Sequence, residues 1–152
     1  MPQVKLTILG EPMGKQRPKA TTIGKFVQVY TPKETTNYES RVVYEYRQKH
    51  SDMLFEPHKE IWATIVAYFP ITKQHYKYHK KTNTTDLDKE GREMLDGTIN
   101  PLKKPDLDNI AKICLDALNG IAYPDDSAIT CLLVMKKYSE NPRVELTLEG
   151  RE

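Results

Sequence analysis

Ile61-Trp62-Ala63-Thr64-Ile65-Val66-Ala67-Tyr68-Phe69, closed by Pro70, carries no charge and is rich in β-branched and aromatic side chains. Such a run suits a strand covered on both faces, so it predicts the central strand of a sheet with Trp62, Tyr68 and Phe69 in the core. Upstream, Val4 to Leu9 alternates with period two, and Lys25 to Tyr30 sets Phe26, Gln28 and Tyr30 opposite Lys25, Val27 and Val29, so both read as strands. A loop, Gly10 to Lys19, separates them. From about residue 34 to 49 the spacing of Tyr38, Val42 and Tyr46 predicts a helix. Downstream, Ile110, Ile113, Cys114, Ala117 and Leu118 fall at i, i+3, i+4, i+7 and i+8, a second helix that Asn119-Gly120 ends. Ile129 to Met135 and Val144 to Leu148 are strand-like, and Ser139-Glu140-Asn141-Pro142 between them predicts a closing hairpin. The order predicts an α+β fold, a two-layer domain with a mixed or antiparallel sheet and helices on one face.

The chain of 152 residues fits one domain, 1–152, built around a single core. Residues 71–103 are polar and lysine-rich and read as an inserted basic arm, with a short helix from Thr85 to Leu95 stopped by Asp96-Gly97. No apolar run approaches the roughly 18 residues of a membrane span, so a membrane role is excluded. The start lacks the basic flank and long apolar core of a secretory signal, and the expected location is cytoplasmic. Cys114 and Cys131 form no C-x-x-C and are expected to be reduced, buried thiols.

The net charge of +2 conceals an uneven distribution. Residues 1–50 hold nine basic side chains against four acidic ones, whereas residues 106–126 hold five aspartates against the single base Lys112. A polyanion attracted by the first segment is repelled by the second unless the second binds cations.

That acidic segment contains Lys103-Lys104-Pro105-Asp106-Leu107-Asp108-Asn109, leading into the second helix. In extended chain, residues i and i+2 project to one side, so Asp106 and Asp108 point together and Leu107 faces the core. Paired carboxylates raise each other's pKa unless a cation lies between them, and a hard ion such as Mg²⁺ or Mn²⁺ is the natural partner. Lys112 follows Asp108 by one helical turn, which sets its ammonium beside the same pocket. Tyr123-Pro124-Asp125-Asp126-Ser127 offers a further acidic pair from a separate turn. The competing reading is structural: Asp and Asn before a helix are ordinary caps, and Asp-Asp after Pro is an ordinary turn. An internal control exists, because Asp86-Leu87-Asp88 repeats the triplet in a polar setting and reads as a solvated cap. Only the second copy has an apolar helix behind it, a lysine one turn on and more carboxylates downstream.

Lys104 to Lys112, then Leu115-Asp116-Ala117-Leu118-Asn119-Gly120-Ile121-Ala122-Tyr123, then Asp125-Asp126-Ser127-Ala128-Ile129, resembles the signature of the RusA family of Holliday junction resolvases. The resemblance is strong over about residues 104–137; Gly14-Lys15-Gln16-Arg17-Pro18 and Tyr30-Thr31-Pro32 resemble the phage-borne branch more loosely. It implies a Mg²⁺- or Mn²⁺-dependent endonuclease, a homodimer that nicks two strands of a four-way DNA junction symmetrically in recombination and repair. Matched residue by residue, Asp106, Asp108 and Asp126 fall on the family's metal-binding carboxylates and Lys112 on its active-site lysine. Asp125 ranks below Asp126, and Asp116 reads as structural. The long arm departs from compact members.

DNA contacts are expected from Lys15, Arg17 and Lys19, then from Lys103 and Lys104, although lysines are ordinarily just solvated. The arm's Lys73, Lys77, Lys80 and Lys81, interleaved with Tyr76 and Tyr78, are a weaker candidate grip. His75 and His79 have the spacing of a zinc pair but lack a third ligand. Two other classes stand beside the nuclease. One is a branched-DNA-binding protein that does not cut; the other is a D-x-D transferase, which lacks a Gly-rich phosphate loop.

Overall fold

The computed structural model describes residues 2–151. Its main sheet is built from β1 (Gln3–Leu9), β4 (Glu60–Pro70), β7 (Ile129–Ser139) and β8 (Arg143–Arg151), in the order β1-β8-β4-β7. β8 runs antiparallel to both β1 and β4, whereas β7 runs parallel to β4, so the sheet is mixed. Alternation decides which face is inside: Val4, Leu6 and Ile8 of β1, Ile61, Ala63, Ile65, Ala67 and Phe69 of β4, and Val144, Leu146 and Leu148 of β8 are all buried. Two helices cover that face. α1 (Lys33–Lys49) contributes Tyr38, Val42 and Tyr46, and α3 (Leu107–Ala117) contributes Ile110, Ile113 and Cys114. Each large side chain so buried stabilises the fold by about 1.5–3 kcal/mol. The expected two-layer α+β architecture is what forms.

Three expectations are corrected. β7 and β8 do not form a hairpin: β4 lies between them and pairs with both. The apolar β4 satisfies its backbone on two edges, and residues 140–142 carry the chain across its end. Nor is β4 covered equally on both faces, for Trp62 is 38% exposed on the outer face. The Arg151 guanidinium lies 3.8 Å from the Trp62 ring and that of Arg143 lies 4.0 Å from the Tyr68 ring, so cations stacked on aromatics cover this side in place of a second layer. Finally, Cys114 is buried as expected but Cys131 is exposed, because β7 is an edge strand.

Two hairpins stand apart from the sheet. β2 (Lys19–Ile23) pairs with β3 (Phe26–Tyr30) through a two-residue turn in which Gly24 adopts φ 61°. β2 occupies residues that carry no alternating burial, which is why its sequence gives no strand signal. β5 (Tyr76–His79) and β6 (Thr84–Leu87) pair within the 71–103 segment, and α2 (Lys89–Asp96) follows in place of the expected single helix from Thr85. The segment is only partly an exposed arm. Ile71, His75 and Met94 are buried, and α2 packs against β7.

Candidate active site

α3 is the scaffold of the acidic segment. Its apolar stripe is held in the core, which fixes the axis, and Leu118 followed by Gly120 at φ 73° ends it. Helical structure begins at Leu107, so Asp106 occupies the N-cap and Asp108 the first turn. The extended-chain argument for Asp106 and Asp108 is therefore replaced by a helix-terminal one, and Leu107 points outward at 41% exposure instead of into the core. Both carboxylates are exposed at the positive end of the helix dipole. Asp106 makes no side-chain capping bond despite its position, which leaves its oxygens free.

The loop after β1 closes over this end of α3. The Lys15 amide donates to the Asn109 carbonyl at 2.9 Å. Gly14 approaches so closely that an added Cβ would meet Pro105 Cβ at 2.7 Å and Asn109 Cβ at 3.0 Å. A cleft of about 370 Å³ results, lined by Gly14, Lys15, Gln16, Lys104, Pro105 and Asp106. Lys104, which lines it, is exposed, and Lys112 is exposed one helical turn beyond Asp108. Lys103 instead sets its ammonium 5.8 Å from the Phe69 ring centroid.

The other three aspartates gather at the opposite end of α3. Asp116 lies ten residues beyond Asp106, about 15 Å along a helix rising ~1.5 Å per residue. The chain then folds back: the Gly120 amide donates to the Tyr123 carbonyl at 2.8 Å, and the Tyr123 hydroxyl, fully buried, donates to the Leu115 carbonyl at 2.6 Å. Asn119 Oδ1 accepts from the Asp126 amide at 2.8 Å. Partial burial raises the Asp126 pKa above the ordinary carboxylate range, and the charges of Asp125 and Asp116 beside it raise it further. Asp125 behaves differently, because bonds with the Ser127 hydroxyl and amide hold it below that range. Asp125 is thus the cap of the 3-10 turn at Asp126–Ala128, and Asp126 is the carboxylate in an unfavourable setting.

Lys15 joins this group. Its ammonium lies 2.7 Å from Glu39 Oε1 and 3.6 Å from Asp116 Oδ2, so it neutralises carboxylates at the negative end of α3 and is not a free phosphate contact. A wider groove of about 750 Å³ along α1 shares Lys15 and Glu39 but is lined there mainly by α1 residues such as Tyr44 and Arg47. Asp106 belongs to the smaller cleft. Arg17 and Lys19 are exposed at the base of the β2–β3 hairpin. The sequence does not mark Glu39 and Asn119 as site neighbours, and Asp116, which reads as structural, lies beside Asp126 and Lys15. Asn119 at a helix stop, seven residues before Asp126, was the available signal.

The carboxylates are, in kind, the hard oxygen donors that a divalent cation takes. Uncapped Asp106 and the mutually repelling Asp116–Asp126 neighbours fit such an ion. Among the described residues, however, no group of three or more His, Cys, Asp or Glu side chains stands in metal-holding geometry. Asp106 and Asp108 lie at one end of α3 and Asp116, Asp125 and Asp126 gather at the other; among the described residues the two sets form no single metal-holding cluster.

His75 and His79 each pair with a carboxylate of the 71–103 segment. Buried His75 has Nδ1 3.3 Å from Asp88 Oδ1, and exposed His79 has Nε2 3.1 Å from Asp86 Oδ2.

The core helix of a mixed α+β fold thus presents a D-x-D pair at its start, beside a cleft that Lys104 lines. The model of the endodeoxyribonuclease RusA family matches residues 10–149. The uncharacterized protein YqaN of Bacillus subtilis (strain 168) is 31% identical over 145 residues, 95% of this chain and 94% of that protein. The chain belongs to the RusA family of endodeoxyribonucleases, enzymes that hydrolyse DNA phosphodiesters and resolve Holliday junctions. Nucleases of this family depend on a divalent metal and bind branched DNA. No helix among the described residues is long and apolar enough to cross a membrane.

Proposed function

We propose that this chain is a Mg²⁺- or Mn²⁺-dependent resolvase, a homodimer acting in the cytoplasm that nicks two opposed strands of a four-way DNA junction. Residues 1–152 are read as one domain. The observation carrying the proposal is Asp106: it holds the N-cap of a core helix yet makes no capping bond, and it lines a cleft flanked by Lys104. A cap serving only the helix would accept from the first free amides, as Asp88 does for α2.

A divalent ion held by Asp106 and Asp108, and joined by Asp126 with Asp125 as a further donor once metal and DNA draw the two carboxylate sets together, would supply a Lewis acid for water activation and charge neutralisation on the phosphate. Lys112 lies one turn beyond Asp108 and offsets charge that develops on the phosphoryl oxygens in the transition state. Arg17, Lys19 and Lys104 bind the phosphate backbone and set its register; Lys103 is a secondary contact, and Lys15 orders the carboxylates. The junction is two-fold symmetric. A C₂ dimer therefore presents equivalent sites to equivalent phosphates, whereas one subunit addresses a single strand.

A second reading, a branched-DNA-binding protein without cleavage, is favoured by the separation of the two carboxylate sets. Asp108→Asn separates the readings. The enzyme loses cleavage and keeps, or tightens, junction binding once a repulsive charge is gone; a binding protein never cuts in Mg²⁺ or Mn²⁺.

A further inference from the structure

Every residue of β2 and β3 is exposed. Phe26 is 79% exposed, Val27 68%, Val29 65% and Ile23 60%, four bare apolar side chains within seven residues. An isolated two-stranded hairpin is at best marginally stable in water, and neither face of this one is covered. Clusters of exposed apolar side chains on a small domain mark interaction sites. The register places Ile23 directly opposite Phe26 at the tip, beside the turn, so the most exposed aromatic ring is also the outermost.

Two features say what meets it. From Pro12 to Lys33 the chain carries Lys15, Arg17, Lys19, Lys25 and Lys33 and no acidic residue. A second copy of the same hairpin would bring the same positive charge, so self-pairing is opposed, whereas a phosphate backbone is complementary. The loop that leads into the hairpin is also docked on the start of α3: Gly14 packs on Pro105, and the Lys15 amide bonds to the Asn109 carbonyl, neighbours of Asp106 and Asp108, four residues before β2 begins at Lys19. DNA lying against those carboxylates is within the hairpin's neighbourhood.

We propose that the β2–β3 hairpin is a branch-point wedge, its tip side chains Phe26 and Ile23 stacking on nucleobases left uncovered where the arms of a junction meet, while Lys19 and Lys25 hold adjacent phosphates. This names the element that selects branched over linear DNA, and it rests on the reading of the chain as a junction nuclease. Continuous duplex stacks its own bases and offers Phe26 no partner. Bases at an interrupted stack expose π faces, and an aromatic side chain gains from each one it covers.

The test compares an immobile four-way junction with linear duplex of the same sequence, bound by the full chain in EDTA. Phe26→Ala is expected to weaken junction binding about tenfold while changing duplex binding less than about twofold. Phe26→Trp is expected to keep junction affinity, with its added indole emission quenched by the junction and not by the duplex. Lys25→Ala is expected to weaken both substrates alike, as a phosphate contact does. Equal losses or no loss for Phe26→Ala, or an unquenched Phe26→Trp, would overturn the wedge. So would a change in particle mass by light scattering, since the hairpin would then be covered by a second copy. If wild-type protein binds the junction no better than duplex, the resolvase reading itself falls and takes the wedge with it; the wild-type arm alone reports that outcome.

Discussion

Asp86-Leu87-Asp88 and Asp106-Leu107-Asp108 are the same three residues at a helix start in two registers, the N-cap being the last residue of the first triplet and the first residue of the second, and the structure uses the two cap aspartates in opposite ways. Asp88 accepts from the Gly91 amide at 2.7 Å and pairs with buried His75, so its carboxylate is consumed by the fold. Asp106 stands at the equivalent N-cap without a side-chain bond. The helix behind it needs no help from a cap, because Ile110, Ile113 and Cys114 are fully buried. α2, eight residues long with few buried side chains, is marginal without its cap. A carboxylate is released for chemistry where packing already holds the helix.

The comparison breaks first on activity. Asp106→Asn and Asp108→Asn should each lower junction cleavage about a thousandfold with binding retained, whereas Asp86→Asn and Asp88→Asn should stay within about twofold of wild type. Equal effects from the two triplets, in single-turnover cleavage assays, would erase the distinction. Gly14→Ala comes next. Its new Cβ would overlap Pro105, displacing the loop or the start of α3, and a shift near 1 Å costs about a hundredfold in rate. Because Gly14 is only half-buried, the thermal midpoint should fall by no more than a few degrees; a larger fall would make Gly14 a stability residue.

On stability the ranking reverses. Asp88→Ala should lower the midpoint by about 3 °C, and Asp106→Ala by less, since only the first loses a capping bond. Calorimetry of both variants sharpens or removes that contrast.

The smallest effect is its pH dependence. Asp88 is held below its ordinary 3.8, chiefly by the bond from the Gly91 amide, so its contribution is present above pH 3.8 and lost as pH falls through the folded value. Asp126 is raised above 3.8, so what its protonated form contributes is present below that pH and lost as pH rises through the folded value. Without metal at pH 7, Asp88→Asn should therefore destabilise and Asp126→Asn stabilise, and both differences should shrink in acid. Differences of the same sign in melts from pH 3 to 7 would contradict the assignment. In Mg²⁺ the same Asp126→Asn change should abolish cleavage if Asp126 is a ligand.

What the sequence made legible follows burial. α3 and β4 were readable because their apolar side chains meet a core at fixed period, and α1 likewise through Tyr38, Val42 and Tyr46. β2 was not, since Lys19–Ile23 is exposed throughout and its pairing leaves no pattern. The insertion of β4 between β7 and β8 was hidden for another reason: hydrophobic alternation names a strand's buried face but not its neighbour. In the site, Asp106 and Asp108 were found at the helix start, with the reason altered from extended chain to helix cap. The approach of Asp126 to Asp116 depends on the fold-back from Asn119 to Tyr123, a hydrogen-bonded arrangement that residue spacing does not encode.

The most direct test labels each strand of a mobile four-way junction in turn and titrates Mg²⁺ and Mn²⁺ against wild type, Asp108→Asn and Asp88→Asn. The account predicts metal-dependent, symmetrically paired nicks from wild type and Asp88→Asn, and bound but uncut DNA with Asp108→Asn. Intact junctions with wild type in both metals, or cleavage by Asp108→Asn at the wild-type rate, would contradict it.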